Sequence, residues 1–225
     1  GVLGLCGHAL DGKYCEAYRG FAQGLAVKGF ACFIIDPISQ GERWQHDKPR
    51  GAPMPGLCHA HNLLGNQMLL TDDFFGAWRV YDAIRALDYL LTRPEVDARR
   101  VGVTGNSGGG TLSSYLTALD PRLTMAAPSC YMCSFQTLVE NENPADAEQN
   151  PPGMLARGLD EVDLLIAYAP RPTLILGQYN DFFDCRFTAG AYRDLRRIHT
   201  LLGSPGTAAY FCGPTVHGYS IHNRE

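Results

Sequence analysis

The sequence lacks any long apolar run, since no uninterrupted stretch approaches the about 20 residues that a membrane-spanning helix needs. It also lacks a block of basic residues, because 19 Lys and Arg stand against 23 Asp and Glu and give a formal net charge of −4. A nucleic-acid-binding surface requires clustered positive charge. We therefore expect neither a membrane nor a nucleic acid as partner.

No internal repeat, low-complexity segment or signal peptide is present in the 225 residues. This length suits one domain. The chain opens directly on "GVLGLCGHAL", which is typical of a buried strand, so we expect its natural start to be missing. Interior thiols favour a reducing cytoplasm, but a missing start could hide an export signal, and the sequence leaves the compartment and the oligomeric state unassigned.

The sequence also lacks the ligand spacing of a zinc site. Cys130 and Cys133 have CxxC spacing, but no second such pair and no His pair stand at the required distance. Three of the eight cysteines, Cys6, Cys32 and Cys212, fall inside predicted strands, where a thiol behaves as a small apolar group. We expect Cys130 and Cys133 to be structural, and we expect no metal and no cofactor.

What the sequence does contain is an alternation of short apolar strands with amphipathic helices, which is typical of a parallel α/β sheet. Six strands are predicted, at 2–6, 30–35, 101–104, 123–128, 173–177 and 208–212. The second of them, "FACFII", is continuously apolar and predicts burial on both faces. Residues 37–70, rich in Gly, Pro and His, predict a long segment that packs over the sheet edge near a functional site.

Apolar residues at helical spacing predict the faces that the helices bury. The first helix presents Tyr14, Tyr18, Phe21 and Leu25, and Gly29 ends it as a left-handed cap. A second helix starts at 71–73 and presents Phe74, Trp78, Tyr81, Ile84, Leu87 and Leu91. Two further helices are predicted at 159–168 and 187–202.

The stretch "VGVTGNSGGGTLSSYL" follows a predicted strand and opens a predicted helix, and three functions compete for it. A dinucleotide fingerprint needs glycines at i, i+2 and i+5, and none of the glycines here fit. A phosphate-binding P-loop needs a Lys where Thr111 stands. The remaining match is G-x-S-x-G, which places Ser107 as a nucleophile on a sharp strand-to-helix turn. A plain glycine-rich turn with an N-cap serine is the alternative without function.

A serine nucleophile needs a base, and the base needs an acid that orients it. Asp181 follows the strand at 173–177, and His217 follows the strand at 208–212. Parallel sheets place their chemistry at these carboxyl ends. The order Ser, acid, His is that of α/β-hydrolases, so Ser107, Asp181 and His217 form the predicted triad. Asp184 is the alternative acid, and His222 lies further out.

The same chemistry requires two N–H donors for the oxyanion. Gly108 supplies one through its backbone, and His8 in "CGHALDGK" supplies the other, with Ala9 as the alternative. Side chains expected to line the pocket are Trp44, His46 and Tyr131. In "DAEQN", Asp146 and Glu148 form a polar cluster that faces a sugar or, in the interpretation we favour, lies in a solvated loop.

Over nearly all 225 residues the chain resembles the acetyl xylan esterase-like and dienelactone-hydrolase-like branch of the α/β-hydrolases. The resemblance rests on "CGHALDGK", "DPISQGER", "RPEVDARRVGVTGNSGGG", "APRPTLILGQYNDFFD" and "VHGYS". It implies a mostly parallel, doubly wound sheet flanked by helices and a serine esterase that needs no metal. Family members usually have two more strands at the start and a helix after the catalytic His. We therefore expect one catalytic domain over 1–225 that is truncated at both ends and lacks the first strands and the last helix.

The resemblance implies a short acyl ester, acetyl above all, on a carbohydrate or related small molecule. A prolyl-oligopeptidase-like serine peptidase is the alternative enzyme. A non-catalytic binding protein with the hydrolase fold is the alternative outside catalysis.

Overall fold

The computed structural model describes residues 1–45, 56–143 and 145–224. These residues contain six strands in one sheet: β1 (Val2–Leu5), β2 (Cys32–Ile35), β3 (Gly102–Asn106), β4 (Met125–Ser129), β5 (Thr173–Asn180) and β6 (Ala208–Val216). The strand order is β2-β1-β3-β4-β5-β6, and all neighbours are parallel. The chain therefore reverses its direction of winding between β1 and β3. Their carboxyl ends frame the crevice where open α/β sheets bind ligands.

Eight α-helices accompany the sheet in the described part of the chain. They are α1 (Glu16–Val27), α2 (Leu57–Leu69), α3 (Phe75–Leu91), α4 (Gly108–Leu119), α5 (Phe135–Glu140), α6 (Glu161–Ile166), α7 (Cys185–Leu201) and α8 (Ile221–Arg224). No helix within the described ranges is long and apolar enough to cross a membrane.

Helices cover both faces of the sheet, as the alternation of side chains along β1 shows. Leu3 and Leu5 point into a core shared with α3 and α4. The intervening Gly4 faces the other side, where a Cβ would lie 2.9 Å from Ile34 and closer still to the Phe21 ring of α1. The predicted doubly wound α/β-hydrolase fold is confirmed.

The second strand is a correction. Among the described residues β2 pairs with β1 alone, and its side chains are only half-buried. An unbroken apolar run predicts full burial on two faces, but here both faces are only partly covered. Phe33 and Ile35 pack against the core shared with α3, and Cys32 and Ile34 pack against α1.

The start and the buried face of α3 also differ from the prediction. The helix begins at Phe75, and no side chain in the described ranges caps its first turn. Before it, the Asp73 carboxylate accepts hydrogen bonds from the Phe74 N–H and the Trp78 indole, both at 2.7 Å. Trp78 and Tyr81 are about half exposed, and the row that faces the core contains Phe75, Arg79, Val80, Ala83, Ala86, Leu87 and Leu90. Small alanines allow α3 to pack closely, and the buried face includes Arg79, which is not one of the predicted apolar positions.

The first helix follows its prediction more closely. Tyr18 and Phe21 are buried, Leu25 packs against them, and Gly29 has φ +89°, the left-handed conformation expected after a helix end. Tyr14 instead lies before α1 and is exposed. The long segment 37–70 contains α2, a helix that was not predicted.

Candidate active site

The turn between β3 and α4 holds Ser107 in a strained conformation, with φ +60° and ψ −123°. A β-carbon on Gly105 or on Gly109 would overlap the carbonyl oxygen of Leu5 on the neighbouring strand. The Ser107 N–H donates to the carbonyl of Ser129 at the end of β4, at 2.9 Å. Ser107 therefore departs from regular strand and helix geometry at a turn whose close backbone packing leaves no space for a Cβ on Gly105 or Gly109.

His217, directly after β6, contacts the predicted acid. Its Nδ1 lies 2.8 Å from Asp181 Oδ1, and the Asp181 side chain is buried. The same oxygen accepts the Phe183 N–H at 3.0 Å, and the Phe182 ring packs on the imidazole at 4.2 Å between centroids. Because a carboxylate only accepts, Nδ1 carries the hydrogen, and Nε2 is left as the basic nitrogen.

The end of β4 contacts both the serine turn and the pair of His217 and Asp181. Cys130 follows Ser129, the residue that accepts the Ser107 N–H, and its sulfur lies within 4.8 Å of Asp181 and His217 ligand atoms. Burial raises the pKa of the Cys130 thiol to about 12, so it is protonated at neutral pH. The ends of β3, β4, β5 and β6 therefore converge on one site.

The alternative residues lie elsewhere. The Asp184 carboxylate accepts the Arg186 N–H at 2.9 Å at the start of α7 and pairs with the Arg186 guanidinium. This interaction lowers the pKa of Asp184 and identifies it as a helix cap. His222 is exposed on α8.

The turn after β1 lies against the serine. A Cβ on Gly7 would come 3.1 Å from the Ser107 Cβ. The Gly7 N–H donates to the Tyr18 hydroxyl at 2.7 Å, and its carbonyl accepts from the Gln40 amide at 2.6 Å, which fixes the turn. Within the described ranges, the backbone N–H groups of His8 and Gly108 donate to no other residue, which leaves both amides available to a ligand.

Behind this turn lies a cluster of buried charges, and here the solvated-loop interpretation of Asp146 and Glu148 is wrong. Their residues are 6% and 2% exposed. Asp146 Oδ2 lies 2.6 Å from His8 Nε2 and 3.0 Å from His61 Nδ1. Glu148 forms an ion pair with Arg79, which is itself fully buried in α3. Asp146 and Glu148 are buried because their partners His8, His61 and Arg79 come from three distant segments.

The pKa values of this cluster reflect burial and mutual contacts. Burial lowers the pKa of both His8 and His61, so both rings are neutral at pH 7. Burial alone would raise the pKa of Asp146, but the hydrogen bonds to His61 and His8 outweigh it and hold the pKa well below its usual range. Burial lowers the pKa of Arg79 to about 10, which leaves it charged.

Two groups among the described residues have ligand atoms close enough to hold a metal ion. One is Cys130 with Asp181 and His217, in which the protonated thiol is a poor ligand. The other is the buried set His8, His61, Asp146 and Glu148.

The residues expected to line the pocket have different positions. Trp44 follows a short 3₁₀ turn and is half-buried. Tyr131 is 1% exposed and packs edge-on against Phe183, so its ring belongs to the core and is not available to a substrate. His46 lies outside the described residues.

Two residues of the site had no role in the sequence reasoning. His61 lies in α2, inside the long segment 37–70 for which no helix is predicted, and Arg79 lies on a face of α3 that the predicted apolar positions do not include. The burial of Arg79 could have been inferred from its neighbours, because the apolar positions 75, 80, 83 and 87 surround it at helical spacing.

The parallel sheet with its reversal point, the strained serine after β3 and the His–Asp pair after β5 and β6 define an α/β-hydrolase. The profile of the acetyl xylan esterase (AXE1) family matches residues 23–150. The chain belongs to this esterase family.

Three similar proteins illustrate the relationship. YtaP of Bacillus subtilis (strain 168) is 28% identical over 123 residues, which are 55% of this chain and 37% of YtaP. The acetyl esterase Axe7A of Xylanibacter ruminicola is 49% identical over 41 residues, 18% of this chain and 9% of that protein. The solved structure of the methylesterase BT1017 superposes with a TM-score of 0.74 at 24% identity, over 99% of this chain and 46% of that one. The chain spans less than half the length of each.

Proposed function

We propose that this chain hydrolyses short acyl esters, acetyl esters of carbohydrates above all, with Ser107 as nucleophile, His217 as base and Asp181 as orienting acid. The observation that carries the proposal is the strained Ser107 at the reversal point of the sheet, together with the hydrogen bond between His217 Nδ1 and Asp181. The acetyl group and the sugar are taken from the family and from the acetyl esterase Axe7A.

The reaction proceeds in two acyl transfers. His217 Nε2 takes the Ser107 Oγ proton while Oγ attacks the ester carbonyl carbon. The oxyanion accepts hydrogen bonds from the N–H groups of His8 and Gly108. As the intermediate collapses, the alcohol leaves with the proton from His217.

Water completes the cycle. His217 deprotonates a water molecule, which attacks the acyl-enzyme at the same carbonyl carbon. The second tetrahedral intermediate then expels Ser107 Oγ, which regains the proton from His217, and the carboxylic acid departs. Asp181 holds the imidazole in the tautomer that leaves Nε2 basic and stabilises the imidazolium formed in each step.

Hydrolysis of p-nitrophenyl acetate and of acetylated xylan tests the proposal. We expect the wild-type chain to hydrolyse both, and Ser107→Ala to lose at least about 1,000-fold in kcat. Ser204→Ala is the matched control, because Ser204 follows α7 at the amino end of β6, away from the site. Full activity in Ser107→Ala would contradict the proposal, and aminoacyl-p-nitroanilide cleavage at rates matching the esters would favour a peptidase.

A further inference from the structure

The four-residue cluster of His8, His61, Asp146 and Glu148 has no step in the proposed acyl transfer beyond the backbone N–H of His8. Its members come from three segments far apart in sequence: the turn after β1, the helix α2, and the loop between α5 and α6. Sequence separations reach 138 residues. Each of these segments lies beside the proposed oxyanion turn.

The cluster brings one potential ligand atom from each of four side chains within 4.8 Å of the others. His8 Nε2 and His61 Nδ1 are 3.1 Å apart, and Asp146 Oδ2 lies 2.6 and 3.0 Å from them. Glu148 Oε1 is 3.8 Å from His8 Nε2, and Oε2 is 3.2 Å from His61 Nδ1. Nitrogen and oxygen ligands around tetrahedral Zn²⁺, at bonds of about 2.0–2.1 Å, are separated by about 3.3 Å.

Hydrogen bonds alone satisfy this cluster poorly. If both imidazoles donate to Asp146 Oδ2, their two N–H groups point into the same space between nitrogens 3.1 Å apart. If one does not donate, Asp146 loses a partner. Glu148 Oε1 is buried and has no hydrogen-bond partner among the described residues. A buried acceptor without a hydrogen-bond partner costs free energy, and a bound ion is one explanation for such an atom.

The ion pair beside the cluster involves only one carboxylate oxygen of Glu148. Because Arg79 contacts Oε2 of Glu148, it leaves Oε1 free as a ligand atom.

We propose that His8 Nε2, His61 Nδ1, Asp146 and Glu148 bind one divalent transition-metal ion, with Zn²⁺ the best match. Two imidazoles and two carboxylates suit zinc among common metals. Four protein ligands close the coordination sphere, so the ion is structural: it holds α2 and the 145–150 loop against the turn that carries the His8 N–H. The proposal does not depend on the triad.

Metal titration of the chelator-treated chain tests the site directly. We expect one Zn²⁺ per chain in calorimetry, and one Co²⁺ per chain with the strong visible absorption of a four-coordinate ion. Saturating Zn²⁺ should raise the unfolding midpoint by about 5 °C or more.

The matched pair of variants is His61→Ala and His59→Ala, since both histidines lie on α2 and His59 is exposed. His61→Ala should weaken metal affinity at least about 100-fold, and His59→Ala should not change it. Asp146→Asn gives a second loss with little change in shape. Absence of saturable binding by the wild-type chain, or equal binding by His61→Ala and wild type, would overturn the proposal. Neither outcome bears on Ser107, whose reactivity is measured separately.

Discussion

Glu161 is a buried carboxyl whose removal should change how stability depends on pH. It lies at the start of α6 with no exposed surface, and its Oε2 accepts the Cys133 N–H at 2.7 Å. Burial raises its pKa from 4.5 to about 8. In the unfolded chain the group ionises at its ordinary pKa, so the unfolded state releases a proton that the folded state keeps. The free energy of unfolding therefore falls as pH rises from about 4.5 to about 8.

The magnitude follows from the difference between the two pKa values. Each unit of pKa difference changes the free energy of unfolding by about 1.36 kcal/mol. Glu161 therefore lowers the free energy of unfolding by on the order of 1 kcal/mol at pH 5.5 and by on the order of 5 kcal/mol at pH 8.5. Glu161→Gln keeps an acceptor for the Cys133 N–H and cannot ionise. Relative to wild type, we expect this variant to gain roughly 3 kcal/mol in free energy of unfolding between these two pH values.

Urea unfolding followed by circular dichroism at both pH values measures the effect. Glu140→Gln is the control, because Glu140 is exposed at the end of α5 and the same chemical change should leave the pH dependence unaltered. If Glu161→Gln and wild type gave parallel curves of stability against pH, the assignment of a neutral buried Glu161 would be refuted.

Two further predictions concern the active site and the serine turn. Asp181→Asn should lower kcat for p-nitrophenyl acetate by about 10⁴ with little change in KM, because the His217 tautomer is no longer fixed; steady-state kinetics with unchanged kcat would contradict the role of the acid. Gly109→Ala should destabilise the fold by several kcal/mol, because its Cβ would overlap the Leu5 carbonyl. Gly24→Ala, in α1 with open space around it, should instead stabilise by about 0.5–1 kcal/mol. Equal unfolding midpoints for these two variants would refute the steric account.

Features set by local pattern could be predicted from the sequence. The six strands and the serine turn follow from apolar runs of strand length and from glycine spacing. The hydrogen bond between His217 and Asp181 follows from topology, since both residues end parallel strands that meet at one edge of the sheet. The start of α3 was misplaced, because the helix begins at Phe75, two residues beyond the predicted start at 71–73.

Features set by long-range contacts could not be predicted. The predicted face of α3 was wrong at Trp78 and Tyr81, which are large but exposed, and it omitted Ala83 and Ala86, which are small and buried. Its other members, Phe74, Ile84, Leu87 and Leu91, do belong to the core or pack against it. Asp146 contacts His8 and His61 of α2, Glu148 contacts Arg79 of α3, and no short pattern in the sequence indicates that these segments meet. Such clusters become visible only when the fold has brought their members together.

The central claim is that Ser107 is the nucleophile, and active-site labelling tests it most directly. A fluorophosphonate probe should add one label per folded chain, and peptide mapping should place the label on Ser107. The Ser107→Ala variant should stay unlabelled while Ser204→Ala is labelled as wild type. A well-folded wild-type chain that takes up no label, or one labelled at another residue, would contradict the account.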